Sequence, residues 1–126
     1  MIEFLVVALG GAVGCAARYA TSLGAARVLG TGFPFGTMLV NVVGSLLAGL
    51  IFGIAEQRTG IPPLLRLLAM TGFLGGFTTF STFMLETVTL LRDGSWLVAM
   101  GSFVANSVAG GTLAVAGIYL GRLVAG

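Results

Sequence analysis

Charge along the chain is confined to a few short stretches, and the uncharged runs between them set its plan. Residues 4–17, 28–55 and 67–85 contain no Asp, Glu, Lys or Arg. A helix crosses a bilayer with about 20 apolar residues. A first helix is predicted over residues 2–27, built around the first run. The second run holds a turn and then a helix: Gly30-Thr31-Gly32-Phe33-Pro34 is the turn signal, and the helix is predicted to start near Pro34 or Phe35. Glu56-Gln57-Arg58-Thr59-Gly60 reads as a short polar loop. Pro62-Pro63 opens a third segment that ends near Arg92-Asp93-Gly94, and a last helix is predicted from about Trp96 to Arg122. Trp96 and Tyr119 fall where the two membrane–water interfaces are expected. The pattern predicts an all-α membrane protein with four transmembrane helices, forming a single domain over residues 1–126.

The third segment is unsuited to a plain helix. Its centre is Gly72-Phe73-Leu74-Gly75-Gly76-Phe77-Thr78-Thr79-Phe80-Ser81-Thr82-Phe83. Each of two adjacent glycines costs about 1 kcal/mol relative to alanine, and the threonines that follow are β-branched. The helix is expected to break mid-membrane, near residues 75–78, and to restart. A break frees backbone groups where no water is available, so it persists only if buried in protein or lining a site. Beyond it, hydroxyls and rings alternate through Thr79, Phe80, Ser81, Thr82 and Phe83, and Phe80 and Phe83 share a helix face.

Other polar positions extend the pattern. Thr37, Asn41, Ser45, Gly49 and Gly53 recur at every fourth position of the second helix, polar first and small afterwards. Thr37 and Asn41 fit a water-filled vestibule, whereas Ser45 fits helix packing better. Thr79, Thr82 or Phe83, and Glu86 form one stripe. An ionisable residue within a span is a functional candidate by default, and hydration near the interface is an equal reading of Glu86. Ser102 and Asn106, four apart on the last helix, continue the polar stripe, while Ser107 and Thr112 are better read as helix–helix hydrogen bonds. Arg18 lies inside the first span, where it either snorkels to the surface or draws anions to a vestibule. The pairs Gly10/Gly14, Gly49/Gly53, Gly72/Gly76 and Gly117/Gly121 have the spacing of close helix packing.

Composition narrows the classes. The chain is 57% hydrophobic and 8% charged, against about 25% charged residues in a soluble domain. Its mean hydropathy is +1.10. There is no histidine and one cysteine, Cys15, which excludes an intrachain disulfide, zinc or haem sites built on Cys or His, and a hydrolase triad with a histidine base. Neither an ATP-binding motif nor enzyme chemistry is expected. The net charge of +2 comes from arginines scattered between spans and gives no footprint for nucleic acid. Glu3 precedes the first apolar run with no basic residue before it, so that run is expected to stay as a helix rather than be cleaved as a signal peptide. If the two ends share a side with the 56–60 loop, that side has Arg58, Arg66 and Arg122, and the other has Arg27 and Arg92. Such a balance barely selects an orientation.

The residues from Gly72 to Phe83 resemble the signature of the Fluc/CrcB fluoride channel family. Gly11-Ala12-Val13-Gly14-Cys15-Ala16-Ala17-Arg18-Tyr19 and Gly36-Thr37-Met38-Leu39-Val40-Asn41-Val42-Val43-Gly44-Ser45 fit the same pattern, in the family's order. The resemblance implies an antiparallel dual-topology homodimer with two ion paths, in the inner membrane of a prokaryote, through which fluoride leaves the cytoplasm passively. It implies a fluoride path along Asn41, Phe80 and Phe83, to which the polar stripe adds Thr79, Ser81, Thr82, Ser102 and Asn106. It also implies a structural Na⁺ at the dimer axis, held by the backbone carbonyls of Gly75 and Thr78 from both subunits, and a vestibular or structural role for Arg18. Expected partners are therefore fluoride, a second copy of the chain and membrane lipid. The rival reading is a small proton-coupled multidrug transporter, for which Glu86 is the one available membrane carboxylate. A non-conducting assembly subunit is a third.

Overall fold

The computed structural model describes residues 1–126 and is helical throughout, with no strand. Helix α1 spans Ile2–Leu29 and α2 spans Phe35–Gln57. The third segment is two helices, α3 over residues 63–77 and α4 over Phe80–Arg92. Helix α5 is Trp96–Ala125. Taken as α1, α2, α3 with α4, and α5, four segments are long and apolar enough to cross a membrane. Only 19 of the 126 residues are buried, while Phe4, Leu9, Val13, Val108 and Leu123 are exposed. An apolar surface of that extent suits a lipid solvent rather than water.

The ends of the helices follow local chemistry. Gly30 closes α1 and Gly94 the turn after α4, both at φ 82°, a left-handed conformation that glycine adopts without Cβ strain. Pro63 starts α3 at the position where its missing N–H costs nothing. The predicted boundaries of α1, α2 and α5 lie within a few residues of those observed.

Glycine spacing sets the packing. A Cβ on Gly10 would come within 2.7 Å of the Leu68 carbonyl oxygen, and one on Gly76 within 2.5 Å of the Gly11 oxygen. One on Gly14 would overlap the Phe73 carbonyl. Thus α1 and α3 meet backbone to backbone. The same holds between α2 and α5: a Cβ on Gly49 would strike Ala114, on Gly53 Ile118, on Gly117 Leu46, and on Gly121 Leu50, in each case at the backbone oxygen. Residues 67–74 of α3 form π-type turns along the stretch that meets α1. Beyond the last turn of this second seam, Arg122 Nε donates to Glu56 Oε2 at 2.8 Å. The small buried core of Val40, Leu74 and Phe77 lies where α2 meets α3.

The observed break overlaps the expected one at Thr78 and runs on to Thr79, leaving the two glycines out. Gly75 and Gly76 are helical; Thr78 (φ −86°, ψ 160°) and Thr79 (φ −152°, ψ 118°) are extended. The glycines are close-packing positions or open to a groove, and the threonines carry the interruption. Thr78 ends α3 by donating both its N–H and its Oγ1 hydrogen to the Leu74 carbonyl, at 3.0 and 2.9 Å. Thr79 begins α4 as its N-cap, its Oγ1 accepting from the Thr82 N–H at 3.2 Å.

Candidate functional site

Between the two extended threonines and the next turn of helix, the backbone loses its helical partners. In a continuous helix the Thr79 N–H would bond the Gly75 carbonyl. Here it donates instead to Asn41 Oδ1, at 2.8 Å. The same amide gives one Nδ2 hydrogen back to the Thr79 carbonyl, at 3.0 Å. A side chain of α2 therefore holds both polar groups of a residue at the interruption. Leaving either unmet would cost about 1–3 kcal/mol. The other Nδ2 hydrogen of Asn41 goes to Asn106 Oδ1 on α5, at 2.7 Å. Asn106 Nδ2 in turn donates to the Ser102 carbonyl at 2.9 Å and to Ser102 Oγ at 3.4 Å. Residues far apart in sequence thus form one chain of hydrogen bonds from α5 through α2 to the start of α4.

This chain borders a groove of about 550 Å³, whose wall includes Asn41, Gly75, Thr79, Phe80, Phe83 and Asn106. Phe80 is 72% exposed and Phe83 5%. Their rings meet edge to face, with centroids 5.9 Å apart and planes at 71°. Phe83 also packs on Phe103 of α5, at 5.9 Å. An aromatic edge carries partial positive charge, so this pair presents a surface an anion can approach. Thr79 Oγ1 donates to Thr82 Oγ1 at 3.0 Å, which leaves the Thr82 hydroxyl hydrogen uncommitted.

The structure divides the remaining polar residues among other places. Thr37 does not face the groove; its Oγ1 donates to Glu86 Oε1 at 2.8 Å, and both line a second cavity of about 500 Å³ against the 30–36 connection. Glu86 Oε2 is buried with no hydrogen-bond partner. A third cavity, of about 240 Å³, lies between α1, α2 and α4 and brings Arg18 together with Thr37, Thr79 and Thr82. Arg18 has no carboxylate partner and donates to Cys15 Sγ at 3.6 Å. Ser81 is exposed and lines none of these three cavities. Ser45 bonds back to the Asn41 carbonyl of its own helix at 2.6 Å and also reaches the groove. Sequence reasoning missed Ser22, which lines the second and third cavities, and assigned Ser107 to helix–helix hydrogen bonding although it lines the groove. Ser22 lies one helical turn after Arg18, and that spacing is the signal that could have found it.

The carbonyls of Gly75 and Thr78 bear on a cation site. Gly75 has lost its helical donor to Asn41, and Thr78 lies outside both helical pieces. Gly75 is exposed, with nothing nearer to an added Cβ than the Met70 oxygen at 3.9 Å. Neutral oxygen donors of this kind suit a hard cation. The chain has no cluster of His, Cys, Asp or Glu that could hold a metal, so a site here would use backbone oxygen.

Four apolar spanning helices with a polar groove at a helix interruption define a multi-pass membrane protein. The comparisons with known proteins place it further. Residues 5–118 match the family model described as CrcB-like protein, Camphor Resistance (CrcB), and the chain belongs to that family. It is 48% identical over 124 residues to a protein of Nitratidesulfovibrio vulgaris, covering 98% of this chain and 100% of the relative. It is 44% identical over 124 residues to one of Maridesulfovibrio salexigens, covering 98% of each. It is also 44% identical over 127 residues to one of Chloroflexus aurantiacus, covering 100% of each. All three relatives are called fluoride-specific ion channel FluC, the name of a channel and not of an enzyme.

Proposed function

We propose that the chain is a fluoride channel that lets fluoride leave a prokaryotic cell passively across the inner membrane and so limits its toxicity. The observation that carries this reading is the groove beside the interruption, which the Phe80 and Phe83 rings line together with the hydroxyl residues Ser45, Thr78, Thr79 and Ser107, in a chain of this family. Fluoride is small and strongly hydrated, so a path must replace its water with donors. Hydroxyls and ring edges can do so without the fixed charge that would trap the ion. Phe80, Phe83 and Thr79 supply those groups in the groove and Thr82 in the third cavity, which Thr79 also lines, with Asn41 and Asn106 along the groove wall. Ser81 is exposed outside these cavities and would join the path only where a second copy covers it, and Ser102 is buried behind Asn106. Arg18, in the third cavity next to Thr82, draws anions toward this row.

The groove is open along one side, so one chain does not enclose a path. A second copy, inserted antiparallel, would cover Gly75 and Phe80 and complete two paths per dimer, with the interruption at mid-membrane and lipid around the apolar perimeter. The near-even arginine balance supports insertion in both orientations. At the axis, the Gly75 and Thr78 carbonyls of both copies would hold a structural Na⁺, neutralising acceptors that have no helical donor. Glu86 is tied to Thr37 outside the groove, which sets this reading against a proton-coupled transporter. The test is fluoride efflux from liposomes containing only this protein, with no proton gradient. Rapid loss of fluoride with retention of chloride is expected; no efflux above protein-free liposomes would overturn the reading.

A further inference from the structure

We infer that Asn106 is a positioning residue that acts through Asn41 to fix the helix interruption. The inference rests on the channel reading only in what it says of fluoride.

A carboxamide has two N–H donors and one oxygen acceptor. Every one of these is occupied in Asn41, and Asn106 uses its oxygen and one side of its nitrogen. The Thr79 peptide sets the direction of the whole chain. Its N–H can be met only by the oxygen end of Asn41, which turns the Asn41 nitrogen toward the Thr79 carbonyl and toward Asn106. Asn106 must then present its own oxygen, and its nitrogen is left facing Ser102, where the carbonyl accepts at 2.9 Å with Oγ as a longer second acceptor at 3.4 Å. No hydrogen remains on the Asn41 amide for an anion. Ser102 is 0% exposed and lines none of the three cavities, so it cannot touch a passing ion. Its place is at the far end of the chain, orienting Asn106. Without Asn106, one Nδ2 hydrogen of Asn41 is free, and the amide can rotate away from the Thr79 peptide. The backbone that carries Phe80 then loses its fixed direction. Thr82, in the third cavity, keeps an uncommitted hydroxyl hydrogen, whereas the Asn41 amide has none, so Asn41 serves the backbone and not the ion.

The experiment reads the clasp and the ion separately. Amide hydrogen exchange at Thr79 is measured on the full chain in lipid nanodiscs without fluoride, and fluoride flux is measured as a function of fluoride concentration. Asn106→Leu, which keeps volume and removes both donor and acceptor, should raise Thr79 exchange about tenfold, the size of one lost hydrogen bond. It should lower maximal flux while leaving the half-saturating fluoride concentration unchanged. Ser102→Ala removes only the distant hydroxyl and should show the same signature at about two- to threefold; it decides the matter if Asn106→Leu does not fold. Unchanged Thr79 exchange in the folded variants overturns the inference, and a raised half-saturating concentration with unchanged exchange makes Asn106 an ion donor instead. A wild-type chain that passes no fluoride would remove the channel reading and leave the exchange result standing.

Discussion

The two helices on either side of Thr78–Thr79 come from one apolar stretch and behave differently. Helix α3 is pressed into α1 so closely that backbone touches backbone at Gly10, Gly14 and Gly76. Helix α4 buries Phe83 and Thr87 and leaves Phe80, Leu85 and Val88 exposed, at 72%, 69% and 57%. One piece is an anchor. The other is an arm with a polar and aromatic edge, held at its base by side chains of α2 and α5. A rigid mount combined with a lightly covered arm suits a segment whose working face is completed by something outside the chain.

The contrast can be broken most severely at the anchor. Gly14→Val places a branched side chain where even a Cβ overlaps the Phe73 carbonyl. Overpacking usually costs about 1–3 kcal/mol, and more where backbone must separate. Loss of monodisperse protein or a strongly lowered unfolding temperature is expected, and wild-type unfolding would remove the anchor. On the arm, Phe80→Ile keeps apolar bulk and removes the ring edge. Since Phe80 is largely exposed, the chain should fold normally and lose most of its fluoride efflux from liposomes; normal efflux would show that the ring only packs. Gly75→Val tests the space outside the chain. Its Cβ has room within one copy, so the single chain should fold, while crosslinking in lipid should show fewer dimers. An unchanged dimer with normal flux would argue against a second copy and a shared cation at this point. The smallest effect is expected at Gly24, in the same helix as Gly14 but with nothing within 4 Å. Gly24→Ala should stabilise by about 0.5–1 kcal/mol through helix propensity alone, read as a small rise in unfolding temperature.

The spans were legible because charge is so sparse that each uncharged run stands out, and the glycine pairs were legible because their fourfold spacing is itself the packing pattern. The position of the interruption was less so. Local propensity points to Gly75 and Gly76, but both stay helical, Gly76 pressed against α1, and the backbone opens at the threonines, whose hydroxyls can end one helix and begin the next. The regular row Thr37, Asn41 and Ser45 reads as one polar face. In the fold its members part: Thr37 turns to Glu86, Asn41 to the Thr79 peptide, and Ser45 to its own helix. A four-residue repeat drifts around a helix of 3.6 residues per turn, and each member meets a different neighbour. The meeting of Asn41 with Asn106 was not legible, since the glycine pairs mark close-packing faces on α2 and α5 without saying which turn of one meets which turn of the other.

The bond between Asn41 and the Thr79 peptide also orders events during synthesis. Asn41 precedes Thr79 by 38 positions, whereas Asn106 follows Asn41 by 65. Chains are made from the N-terminus, and early segments fold first. When residues 63–92 leave the ribosome, the amide that receives their interruption already exists in α2, but the group that fixes that amide does not. The segment can therefore be caught before it is locked. Between those two moments the Asn41 amide has one hydrogen with no partner on the chain yet made, and arrival of the last helix fills it.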